Sequence, residues 1–118
     1  AKMEAATREL SRRYEVVLLE GAGGLMVPLT KDLLTIDYVA QKKYPMIFVT
    51  SGKLGSINHT LLGLEAIKNR GISLYKVMYN LYPTVKDTTI QEDTQSYIKE
   101  YLSQCFPEAE FMIVPEIR

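Results

Sequence analysis

The sequence predicts an α/β fold, a doubly wound, mostly parallel sheet with helices on both faces, and three observations predict it. Short runs that are apolar on both faces, such as Val16–Leu19 and Met46–Val49, read as strands buried inside a sheet. Longer segments between them carry apolar residues at helical spacing. The two kinds alternate along the whole chain with ordinary connections, the order that parallel crossover units require. One domain is therefore expected over residues 1–118.

Residues 2 to 13 place Met3, Ala6 and Leu10 on one helical stripe among charges, predicting a surface helix that packs this stripe on a sheet. Tyr14 to Leu19 reads as a central strand, ended by Glu20 and followed by the loop Gly21, Ala22, Gly23, Gly24. A short helix is expected over Leu33 to Gln41, broken by Tyr44 and Pro45. Met46 to Thr50 forms the second strand and runs into the turn-rich Ser51 to Gly55.

Ser56 is a good N-cap for the next helix, whose buried stripe is Ile57, Leu61, Leu64 and Ile67, and Gly71 sits where a left-handed C-cap belongs. The third strand spans about Leu74 to Tyr79 and ends at Asn80, with Pro83 preventing simple continuation. Asp87 to Cys105 reads as a longer helix with Thr89 and Glu92 at capping-box spacing. Phe111 to Val114 is the last strand. In such sheets ligands sit beyond the carboxyl ends of the strands, so Glu20, Ser51 to Ser56, Asn80 and Pro115 are expected along one edge.

Composition narrows the partners. The 14 basic and 14 acidic residues cancel and are spread along the chain, which argues against nucleic acid and anionic membranes and for small molecules or proteins. No apolar run approaches the roughly 20 residues that cross a bilayer, and no signal peptide is expected. The one cysteine, Cys105, excludes an internal disulfide and points to a cytoplasmic location. The chain opens on Ala1 and helix-forming residues without a cap, so a piece of something longer is expected.

Glu20 follows a strand and precedes three glycines in four residues, so its carboxylate would face a crevice where backbone approaches a ligand, and a hard cation such as Mg is a fitting partner. A solvated charge closing a strand is the alternative. The helix start at Gly55, Ser56, Ile57, Asn58 offers free N–H groups and a dipole suited to a carboxylate or phosphate, with Lys53 adding positive charge. A plain capped helix beside an exposed lysine explains the same residues. His59 reads as a structural or surface residue. Asn80 is placed to read a base edge with its amide, or is a turn residue before Tyr82 and Pro83. Tyr75, Tyr79 and Tyr82 read as sheet packing, and Tyr97 as outward-facing on its helix. No G-x-x-x-x-G-K-[ST] phosphate loop occurs in this sequence, so the chain alone is expected to hold a triphosphate poorly.

As a string, Val16-Val17-Leu18-Leu19-Glu20-Gly21-Ala22-Gly23-Gly24-Leu25-Met26-Val27-Pro28-Leu29 resembles the E-G-A-G-G-x-x-x-P-L signature of dethiobiotin synthases. Thr35 to Val39, Pro45 to Val49 and Lys53 to Leu62 are similar to the family's following blocks, in order and spacing. The resemblance covers nearly the whole chain and identifies it with the C-terminal half of that family. It implies a P-loop NTPase-like fold lacking the phosphate-loop segment, an ATP- and Mg-dependent ligase, and a homodimer with active sites across the interface. The substrates it implies are 7,8-diaminopelargonic acid and carbon dioxide: an amine takes up carbon dioxide, ATP phosphorylates the carbamate, and ring closure releases phosphate.

Residue by residue, the resemblance makes Glu20 the Mg ligand and a catalytic residue together with Lys53. It lays Gly21, Gly23, Gly24 and Pro28 against the diamine, and gives Gly55, Ser56, Ile57 and Asn58 the substrate carboxylate from the partner subunit, assisted by Tyr97. Asn80, Pro115 and Glu116 would border adenine. The sequence departs from the family at Tyr79, where a small residue is usual, and at Tyr75-Lys76, where glycine is common. A non-catalytic binding or regulatory module of the same family is the second reading. A related amidotransferase-type ligase acting on cobyrinate shares the Glu-Gly-Ala-Gly turn, but the Lys53 to His59 block argues against it.

Overall fold

A computed structural model describes residues 2–21, 23–53, 56–81 and 88–115, the side chains of 88–90 apart. The elements run α1 (Lys2–Arg13), β1 (Pro28–Thr30), β2 (Leu33–Leu34), α2 (Thr35–Lys42), β3 (Met46–Ser51), α3 (Ser56–Asn69), β4 (Leu74–Asn80), α4 (Thr88–Cys105) and β5 (Glu110–Val114). The predicted α/β class is observed: β3, β4 and β5 form a parallel sheet in that order.

Register decides which side chains share a face. Phe48 pairs with Val77, Thr50 with Tyr79, and Val77 with Phe111, so these five residues lie on one side of the sheet. α3 packs there, Gly63 lying against the Phe48 ring and Thr60 bonding Thr50. α4 packs on the same side, with Lys99 Nζ 5.4 Å from the Phe111 ring centroid. Two crossovers of one hand, stepping the same way across a sheet, place both helices on one face. The core joins Leu64 and Ile67 of α3, Val77 and Tyr79 of β4, Ile98 and Leu102 of α4, and Ile36 of α2. On the opposite face Lys76 pairs with Glu110 at 3.3 Å, and Ile47, Val49 and Met112 are exposed.

Local signals explain the helix ends. Gly71 has φ +65, the left-handed cap expected after α3. α2 closes on Lys43 at φ 58, whose N–H and that of Tyr44 donate back to Ala40 and Val39 carbonyls. Thr89, Asp87, Tyr82 and Pro83, on which the expected capping box and turn rest, fall outside the described side chains.

Two expectations are corrected. Tyr14 to Leu19 is not a strand: it is irregular, with Val16 76% and Leu18 81% exposed. A strand exists only if a neighbour supplies its hydrogen bonds, and among the described residues none pairs with it, whatever its β propensity. α1 is helical over the predicted residues but buries none of them, and its stripe of Met3, Ala6 and Leu10 covers little apolar area. It meets α2 through an ion pair from Lys42 to Glu4 at 2.6 Å, which lowers the Glu4 carboxyl below its usual range and raises the Lys42 ammonium above its own. The sequence reading also missed the small antiparallel ribbon in which Pro28 faces Leu34 and Thr30 faces Leu33.

Candidate functional site

β3 and β4 end side by side, Ser51 opposite Asn80, and α3 starts five residues later at Ser56. An open cleft of about 380 Å³ lies between them. β3 lines it with Phe48, Val49, Thr50 and Ser51, the following turn with Lys53, α3 with Ser56, His59 and Thr60, and β4 with Asn80.

Ser51 ties this turn together. Its hydroxyl accepts from the Lys53 N–H at 3.4 Å and lies 3.3 Å from the Ser56 hydroxyl, while the Ser56 N–H donates to the Lys53 carbonyl at 2.9 Å. The first turn of α3 is thus held against the end of β3, where its N–H groups have no intrahelical acceptors and the helix dipole is positive. With the exposed Lys53 beside it, the cleft can attract an anion; both charges are solvent-screened, so the attraction is modest. One turn further in, Thr60 and Thr50 are hydrogen-bonded hydroxyl to hydroxyl.

Lys53, Ser56 and Asn80 are the sequence-predicted residues that meet here. Asn58 and Tyr97 are exposed, Tyr97 at 54%, while Ile57 is half-buried against the core. Pro115 follows β5 directly, at the same edge, where the Val114 carbonyl accepts from the Leu81 N–H at 3.0 Å. Gly55 and Glu116 lie outside the described residues.

Glu20 is exposed and does not line the cleft, contrary to the expected single edge, because the segment before it is not part of the sheet. The glycine loop docks on α2 instead. Leu25 and Val27 carbonyls accept from the Ile36 and Thr35 N–H groups at 2.9 Å, and the Thr35 hydroxyl donates to Val27 at 2.8 Å. Gly23 and Gly24 have φ +87 and +133, which side chains strain to adopt, and nothing stands within 4 Å of the place a Gly24 Cβ would occupy. At Gly24 the loop backbone is therefore open to close approach, whereas a Cβ at Gly21 or Gly23 would meet the Thr35 or Val27 side chain at 3.1 Å. Among the described residues no three acidic, His or Cys side chains gather as a metal site.

Sequence reasoning passed over His59 as a cleft residue and did not single out Thr50 or Thr60. The spacing held the signal: His59 and Thr60 follow Ser56 by three and four positions and so share its helix face.

A family model described as an AAA domain matches residues 1–106. The chain belongs to that family. Its relatives bear out the resemblance to dethiobiotin synthases. It is 47% identical over 113 residues to "ATP-dependent dethiobiotin synthetase BioD 2" of Pasteurella multocida, covering 96% of this chain and 53% of that protein. The protein of the same name from Haemophilus ducreyi is 45% identical over 114 residues, 97% of this chain and 54% of its own. A Chlorobaculum tepidum protein named "ATP-dependent dethiobiotin synthetase BioD" is 52% identical over 77 residues, 65% of this chain and 32% of its own. The chain spans about half the length of the first two relatives. Among the described residues no helix is long and apolar enough to cross a membrane.

Proposed function

We propose that this chain supplies the substrate-carboxylate and adenine side of an ATP-dependent ligase that closes the ureido ring of dethiobiotin from 7,8-diaminopelargonic acid and carbon dioxide. The observation that carries the reading is the convergence of Lys53, the start of α3 and Asn80 on one cleft at the carboxyl edge of a parallel sheet. An ammonium beside the N–H groups of a helix start suits a carboxylate, and a primary amide that donates and accepts suits a purine edge. Gly55, Ser56, Ile57 and Asn58 hold the substrate carboxylate, and Asn80 with Pro115 and Glu116 borders the base. Tyr97, exposed on α4, assists this helix start, and the two act on substrate bound in the partner subunit, so the working form is a homodimer, in the cytoplasm.

The backbone is open at Gly24, and with Gly21, Gly23 and Pro28 at the start of β1 it forms the surface along which the diamine chain lies. Magnesium is held by one or two carboxylates together with substrate phosphates and water. Glu20 fits as one such ligand, being exposed and free to reach outward, but the described acidic groups offer no cage around it. Magnesium would arrive with the nucleotide and supply charge neutralisation at the phosphates. Lys53, at the cleft mouth, provides a second positive charge.

A second reading within the same family is a binding or regulatory module that does not catalyse. The test is dethiobiotin formation from ATP, Mg, bicarbonate and 7,8-diaminopelargonic acid, by the purified chain with and without a separately expressed N-terminal half of the Pasteurella multocida relative. Product only with both halves supports the ligase. No product although the halves associate supports the non-catalytic module.

A further inference from the structure

Gly52 stands between two cleft-lining residues, Ser51 and Lys53, and its backbone rests on the hydroxyl of Tyr79. A Cβ at position 52 would collide with Tyr79 Oη and would also meet Gln91 Nε2 at 3.1 Å and Gln91 Cγ at 3.2 Å. Gly52 is not among the glycines with positive φ, so the position excludes side chains for lack of space and not for backbone conformation. Tyr79 cannot retreat. Its side chain is fully buried, paired across the sheet with Thr50 and held 6.0 Å from the Phe111 ring. Its hydroxyl has no hydrogen-bond partner among the described residues. A buried phenol that finds no partner among the described residues and stands against the backbone of this turn acts through its bulk.

We propose that Tyr79 and Gly52 are a positioning pair: the phenol sets how closely the Ser51–Lys53 turn approaches the sheet, and with it the place of Lys53 in the cleft. Tyr79 acts here through the turn and does not itself touch ligand. What Lys53 binds rests on the function proposed above; the packing of the pair does not.

The test is a double-substitution cycle on this chain with Gly52→Ala, Tyr79→Phe and both together. It reads the melting temperature, the backbone amide shift and exchange rate of Lys53, and the affinity for 7,8-diaminopelargonic acid well below the melting temperature. Tyr79→Phe alone should not lower the melting temperature, since it removes a hydroxyl that is buried without a partner. Gly52→Ala should lower it by about 5 °C through overpacking, move the Lys53 amide, and weaken the diamine about tenfold. In the double variant Oη is gone and the remaining neighbours stand beyond 3 Å, so the melting temperature, amide and affinity should return towards the parent.

A Gly52→Ala chain identical to the parent, or a double variant that keeps the full defect, overturns the pair. If the parent itself does not bind the diamine, the reading of the cleft fails, while the Lys53 amide and the melting temperatures still decide the pair.

Discussion

Thr60, the one buried polar residue among those described, shares its hydroxyl hydrogen bond with Thr50 and so locks the second turn of α3 to the end of β3 beneath the cleft. Thr60→Val keeps the shape and removes the bond, leaving the Thr50 hydroxyl half-buried without this partner. A loss of about 1–2 kcal/mol in urea unfolding is expected. Thr50→Val with Thr60→Val should cost less than the two single losses added, because no hydroxyl is then stranded.

At Gly63 two effects oppose each other. Alanine in a helix interior gains about 1 kcal/mol over glycine. Its methyl, however, would lie 2.7 and 2.8 Å from Phe48 ring atoms. Overpacking of that kind costs about 1–3 kcal/mol, so packing wins and Gly63→Ala should destabilise, by about 1 kcal/mol in chemical denaturation.

Arg70 donates from Nε to Asp37 at 2.7 Å and from an amino group to the Ala66 carbonyl, linking the end of α3 to the first turn of α2. The pair is partly exposed, so Arg70→Ala should cost under about 1 kcal/mol, and the difference from the parent should shrink in 1 M salt.

Burial raises the phenol of Tyr79 above its ordinary value, and desolvation does the same first for Tyr38 and Tyr101. A folded-state value above the unfolded one gives stability that is present at lower pH and is lost as pH climbs past 10. Alkaline titration should therefore unfold the chain as tyrosinate forms, and Tyr79→Phe should flatten that slope. At the acid end the lowered carboxyl of Glu4 acts oppositely: its contribution is lost only as pH falls below 4.5, and Lys42→Ala should abolish that loss.

Much of the fold was legible because helices and buried strands carry their reasons locally. The stripe of Leu61, Leu64 and Ile67 made α3 readable, and Gly71 marked its end; the apolar run at Met46 and the residues from Leu74 to Tyr79 made β3 and β4 readable as strands, although Ile47 and Val49 leave one face of β3 exposed. From these, the strand-edge rule reached Lys53, Ser56 and Asn80 without any coordinates. His59 and Thr60 were harder, since a helix start says that an anion could bind but not which later side chains turn towards it. Tyr79 was legible as sheet packing and as a departure from a family pattern, but its role depends on Gly52, 27 positions earlier.

Legible in the residues alone were the α/β class, the four helices α1 to α4, the three sheet strands, the neutral net charge and the family, because period, capping, composition and motif spacing all act within a few neighbouring residues. Tertiary structure alone decided that Tyr14 to Leu19 stays out of the sheet, that the glycine loop docks on α2, that α3 and α4 share one face, and that Tyr79 sits under Gly52. Strand pairing and close packing are contacts between residues far apart in the chain, so no local preference can fix them.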